Sequence, residues 1–246
     1  MTSDEVLDIV LPIVSMMLPI IYHLYFFGIF FIFPKWTNFG RQIITRKNWL
    51  NWVMFTKGEE IIGVQTFRNA MMASSFLASL CSALAFYLIT LAKQEVEYIK
   101  EIKLYTLSVM FFCSFLLLAF NVRYILHTSY LVSAKNMSHV DSAISRFLLT
   151  PESRENKKEK KNEEKIEENN IEDIIEVPGF GILDSLRIEN ILTAERNITL
   201  ATVCYTLGVR FIMFSVPIAL WSGIGNYGML ISSFVIVLIY IFYDHI

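Results

Sequence analysis

Five stretches of this chain, residues 9–33, 64–92, 104–122, 199–221 and 227–243, are apolar almost throughout and contain no aspartate or glutamate. Crossing the hydrocarbon core of a bilayer takes about 17–25 mostly apolar residues in a helix, and each stretch reaches that length. Within hydrocarbon a single helix satisfies all its own backbone hydrogen bonds, which an isolated strand or loop cannot do. The expected fold class is therefore all-α: a polytopic transmembrane helical bundle of about five spans, forming one membrane domain over residues 1–246. Spans four and five are separated only by Ser222-Gly-Ile-Gly-Asn226. A helical hairpin can turn in so few residues, so four spans plus a re-entrant hairpin is the alternative arrangement.

Composition agrees with this reading. Apolar residues make up 54% and aromatics 14% of the chain, above ordinary globular usage. The net charge of −2 matters less than its distribution, because every acidic residue and every lysine and arginine except Arg68 and Arg210 lies outside the five stretches. The first eight residues carry Asp4, Glu5 and Asp8 in place of the basic start of a signal peptide, so the first stretch is expected to stay as a span. Connector 34–63 holds Lys35, Arg41, Arg46, Lys47 and Lys57, and connector 122–198 holds eleven basic residues. The connector between spans two and three has Lys93, Lys100 and Lys103 balanced by Glu95, Glu97 and Glu101. Basic residues favour the cytosolic side, which sets the N-terminus outside and the C-terminus inside.

The connectors have their own character. Connector 34–63 is interfacial by expectation: Trp36, Trp49 and Trp52 stand beside Lys35, Arg46 and Lys47, and tryptophan favours the headgroup zone. Residues 38–55 are expected to form an amphipathic helix on the inner membrane surface. Residues 151–176 hold ten acidic and six basic residues with little apolar content, the pattern of a disordered charged insertion. Residues 182–192 fit a short amphipathic helix leading into span four. The sequons at Asn136 and Asn197 fall on the cytosolic side in this topology, where they stay unmodified.

Arg210 is the most informative single residue. Counted back from Trp221 at about 1.5 Å per residue, it lies roughly 16 Å inside the span, near the bilayer midplane. A charge there costs at least about 2.5–3.5 kcal/mol. With no acid inside any span, Arg210 is expected to lack an intramembrane salt bridge and to turn to carbonyls, polar side chains, a water-filled cavity or an anionic ligand. His23 reaches mid-depth in span one, among Tyr22, Tyr25 and the helix-kinking Pro12 and Pro19. A histidine there suits either a packed, hydrogen-bonded core or a proton relay.

Arg68 and Asn69 fall where span two meets the inner interface. Farther along, Ala70, Ser74, Ala78 and Ser82 recur every four residues, flanked by Ser75 and Ser79. Small residues at this spacing let helix backbones approach closely. Asn121, Arg123, Tyr124 and His127 end span three at the same level, and with Arg68 and Arg196 form a candidate basic ring for anionic lipid headgroups. Cys81, Cys113 and Cys204 sit singly in three different spans, where cysteine acts as a small apolar residue. No metal-ligand cluster, glycine-rich phosphate loop or nucleophile triad is present in the sequence, so no cofactor, metal or catalytic residue is expected.

The run Gly63-Val-Gln-Thr-Phe-Arg-Asn-Ala-Met-Met-Ala-Ser, with Tyr22-His-Leu in span one, resembles the family catalogued as domain of unknown function 599. Leu207-Gly-Val-Arg210 followed by Pro217 and Trp221 is similar to that family's later pattern. The resemblance covers most of residues 12–133 and 195–243 and leaves out the charged insertion. It implies a multi-span membrane protein and marks Tyr22, His23, Gln65, Thr66, Arg68, Asn69, Gly208, Arg210 and Pro217 as matching positions. The turn Ser222-Gly-Ile-Gly departs from the bulkier turn expected of the family. The resemblance implies no activity.

The function expected from these residues is binding or transport of a small anion or lipid headgroup through a polar cavity. The ligand-binding candidates are Arg210, His23, Arg68, Asn69, Arg123 and Tyr22. The alternative is an accessory or scaffold subunit of a larger membrane complex; an enzyme ranks third. Expected partners are the lipid bilayer, anionic lipids at the cytosolic face, and other membrane proteins or a second copy, with no nucleic acid. The expected location is a eukaryotic plasma membrane or endomembrane, with the mitochondrial inner membrane as the alternative.

Overall fold

The computed structural model describes residues 3–56, 58–134 and 180–245, with side chains over 10–56, 58–133 and 188–245. The charged insertion 151–176 and the Asn136 sequon lie outside the described residues. Among the described residues, six α-helices follow in order: α1 (Ser3–Ile32), α2 (Asn38–Phe55), α3 (Glu60–Ala92), α4 (Tyr98–Ala134), α5 (Phe180–Gly223) and α6 (Asn226–His245), with a 3₁₀ turn at Pro34–Trp36. No strand occurs among the described residues. All but α2 are long and apolar enough to cross a membrane. The chain is thus an all-α integral membrane protein. At about 1.5 Å per residue, the 20 residues of α6 suffice for a full crossing.

Helix α4 packs between α3 and α5, and α6 packs against both α5 and α1. The small-residue face of α3 meets α4: Ser74, Ala78, Cys81 and Ala85 are buried, Asn121 donates to Ser74 Oγ at 2.6 Å, and Ser108 donates to the Ala85 carbonyl at 2.9 Å. A strict four-residue repeat drifts about 40° per step around a helix. Hence Cys81, not Ser82, continues the buried line, while Ser75 and Ser79 face outward. Helix α5 presses close to α4 at Gly208. A Cβ there would sit 3.0 Å from Leu118 Cγ, and Ser114 donates to the Gly208 carbonyl at 2.8 Å.

Helices α4 and α5 run 37 and 44 residues, well beyond the expected spans 104–122 and 199–221. Residues 182–192 belong to the continuous α5 helix. Packing explains part of the extension: Leu50 and Val53 of α2 join Phe67, Ile125, Val132 and Ile198 in a core at this end of the bundle. Apolar burial of this kind sustains a helix more than propensity does.

Helix α2 starts on Thr37, whose hydroxyl accepts the Gly40 N–H at 3.1 Å. Gly40 has no alternative there, since a Cβ would lie 1.9 Å from the Pro34 carbonyl oxygen. The helix is docked on its neighbours. Arg46 donates to Thr202 Oγ1 at 3.0 Å and Asn51 donates to Glu195 Oε1 at 2.7 Å, so α2 runs back along α5 in the opposite direction. At the other end of the bundle, Gly225 takes a φ of +95° and turns the chain between α5 and α6. Trp221 Nε1 donates to Asn226 Oδ1 at 2.7 Å and braces that turn.

Candidate functional site

Two residues on adjacent positions of α1, Tyr22 and His23, face α5 and α6. Pro19, one turn earlier, shapes this spot: its carbonyl lies 2.8 Å from His23 Nδ1. The other ring nitrogen, Nε2, lies 2.8 Å from Arg210 NH1 on α5. A guanidinium only donates, so Nε2 must accept. The proton therefore sits on Nδ1, which donates to Pro19. Both ring nitrogens are satisfied by one neutral tautomer.

Arg210 also meets a carboxylate, which corrects the expectation of an unpaired cation. Its NH2 lies 2.5 Å from Asp244 Oδ1, and both side chains are under 5% exposed. Asp244 Oδ2 accepts the Tyr22 hydroxyl at 2.7 Å. The guanidinium packs between two rings, with its carbon 4.3 Å from the Phe26 centroid and 4.7 Å from that of Tyr240. Such cation–π contacts strengthen when desolvated.

The correction has a geometric reason. Asp244 lies just past the acid-free stretch 227–243, about 26 Å along α6 from Tyr227, while the Arg210 backbone is about 16 Å from Trp221. The long arginine side chain spans most of that difference by pointing toward the α2 end, as such side chains do when they snorkel. A signal for Asp244 existed in the sequence. Met229, Ser233, Ile236, Tyr240 and Asp244 recur every three or four residues and form one buried stripe of α6.

Of the six residues expected at a ligand site, the fold brings together Arg210, His23 and Tyr22. It does not bring Arg68, Asn69 or Arg123 to them: these are exposed on the outward faces of α3 and α4, as are His127 and Arg196 on theirs. No group of three or more His, Cys, Asp or Glu able to hold a metal occurs among the described residues.

The cluster is ion-paired and closely packed, and the space beside it is apolar. A crevice of about 260 Å³ lies toward the α5–α6 turn, lined chiefly by Met16, Pro19, Met110, Phe214, Pro217 and Met229. Phe214 forms the boundary with the cluster, its ring 4.6 Å from that of His23. Two hydroxyls reach the crevice wall. Ser15 donates to its own helix at the Leu11 carbonyl, and fully buried Ser233 has no hydrogen-bond partner among the described residues.

No curated protein and no solved structure matches the chain. A family model does, over residues 10–246, described as "Protein of unknown function, DUF599". The chain belongs to that family.

Proposed function

We propose that this DUF599 member binds a membrane lipid, holding an acyl chain in the crevice between α1, α4, α5 and α6. The observation that carries the reading is the pairing of an apolar crevice with a neutralised charge cluster. Asp244 cancels the charge that would have drawn a soluble anion to Arg210, which turns the choice between anion and lipid toward lipid. The crevice mouth is flanked by Ile20, about half exposed on the surface a bilayer would cover. The unpartnered Ser233 hydroxyl offers a hydrogen bond to an ester or hydroxyl oxygen on the chain. In this role the Arg210–Asp244–Tyr22–His23 cluster fixes α1 and α6 on α5 and so holds the crevice walls in place.

The test is lipid retention. Native mass spectrometry of the protein purified in mild detergent is expected to show a bound diacyl lipid. Ser233→Phe, which fills the crevice, is expected to remove it without loss of the folded monomer peak. Equal retention by wild type and folded Ser233→Phe contradicts the reading. The proposed setting is a eukaryotic plasma membrane or endomembrane with the α2 end facing the cytosol, on the strength of the basic residues at that end.

A scaffold role draws on a different observation. Gln65, Thr66, Arg68 and Asn69, which carry the resemblance in α3, all point away from the protein's own core. A stable larger complex in native electrophoresis, lost on Arg68→Ala with Asn69→Ala, supports that role. An unchanged monomer in both samples removes it.

A further inference from the structure

Asn38, Gln42 and Arg46 recur every four residues and so share one face of α2. That face meets α5 and the end of α6. Asn38 donates to the Tyr243 carbonyl at 3.2 Å, Gln42 donates to the Tyr243 hydroxyl at 3.4 Å, and Arg46 donates to Thr202 Oγ1. Arg46 is half-buried here, and no carboxylate pairs with it among the described residues. The acids nearby are committed elsewhere: Glu195 to Asn51, and Asp244 to Arg210 and Tyr22. The titratable groups that act on Arg46 are the phenols of Tyr205 and Tyr243, and burial pushes its guanidinium below the ordinary range. Partial burial without a counter-charge takes hydration from the guanidinium and gives no ion pair in return, and the guanidinium keeps further donors beyond the one used on Thr202.

Depth selects the partner. Thr202 precedes Trp221 by 19 residues, or about 28 Å of helix, close to the thickness of a hydrocarbon core. Arg46 therefore stands at headgroup level on the α2 side. We infer that Arg46, with Gln42 and the Tyr243 hydroxyl, forms a binding site for a phosphate group at this membrane surface. A guanidinium matches phosphate oxygens in a bidentate geometry that lysine cannot reproduce. The group is the phosphate of a lipid headgroup or free phosphate, and the experiment separates the two. The site shares no residue with the crevice, which lies toward the α5–α6 turn, and neither depends on the other.

The experiment uses the full chain in mild detergent and native mass spectrometry with three probes: dioleoyl phosphatidate, dioleoylglycerol and inorganic phosphate. Phosphatidate is expected to be retained at higher occupancy than dioleoylglycerol. Arg46→Gln is expected to lower that occupancy about tenfold, the scale of a lost charged hydrogen bond, and Arg46→Lys to restore it only in part. Displacement of phosphatidate by millimolar inorganic phosphate identifies free phosphate as an occupant; no displacement identifies the lipid. Lys93→Gln, an exposed cation at the opposite end of α3, is expected to change nothing. Should Arg46→Gln fail to fold, Gln42→Leu carries the test, with a loss of about threefold expected. Undiminished occupancy in the folded variant, or an equal loss in Lys93→Gln, overturns the inference. Ser233→Phe is expected to leave the dependence on Arg46 intact, so failure here and failure of the crevice reading are distinguishable.

Discussion

Arg210 and Asp244, 34 positions apart on the two arms of a helical hairpin, meet at 2.5 Å with both side chains buried. Neither residue could stand alone there. An unpaired charge in such surroundings costs several kcal/mol, and the pair offsets this only because each end is further bonded. Asp244 accepts from Tyr22, and Arg210 donates to His23 while lying against Phe26 and Tyr240. The cluster ties three helices that share few other polar contacts.

Tyr22→Phe removes the hydroxyl that Asp244 Oδ2 accepts. The carboxylate stays buried with one partner fewer, and the expected loss of stability is about 1–3 kcal/mol. Thermal unfolding in detergent measures it. Tyr25→Phe is the control, because Tyr25 is exposed and makes no contact with the carboxylate.

His23 is expected to carry its proton on Nδ1. Nitrogen-15 spectra of ring-labelled protein should show one protonated and one bare ring nitrogen. His23→Phe keeps the ring contact with Phe214 but leaves an Arg210 N–H unbonded, at a cost of about 1–3 kcal/mol. A spectrum with Nε2 protonated contradicts the assigned hydrogen bond to Arg210.

Gly208→Ala is expected to be tolerated poorly and Gly208→Val worse. The added Cβ meets Leu118 Cγ at 3.0 Å in a closely packed interface, and overpacking of this kind costs about 1–3 kcal/mol. Leu118→Ala placed with Gly208→Ala should recover part of the loss. An unfolding temperature for Gly208→Ala equal to wild type would show that α4 and α5 separate more easily than their packing implies.

Much of the fold was legible because hydrophobic length is a direct physical signal. The acid-free stretches marked all five long apolar helices, and the tryptophan-rich connector yielded a helix at residues 38–55. What escaped was the continuation of α4 and α5, because their outer turns are mixed in polarity and gain packing contacts only where α2 docks. In the site, the mid-depth count brought out Arg210 and His23, and they do touch. Asp244 escaped because the depth count ended at the last apolar residue and ignored the reach of an arginine side chain. The expectation of an amphipathic helix on the inner membrane surface at residues 38–55 carried no signal that Asn38, Gln42 and Arg46 bond to α5 and α6.

The central claim, that Arg210 is neutralised by Asp244, is tested most directly by a double-mutant cycle on unfolding free energy. The variants are Arg210→Met, Asp244→Asn and the two combined. Each single change is expected to cost about 3–5 kcal/mol by leaving a buried charge unpaired. The double variant should be more stable than the sum of the two losses implies, by a coupling of at least about 1 kcal/mol. Additive losses, with no coupling between the two sites, would contradict the pairing.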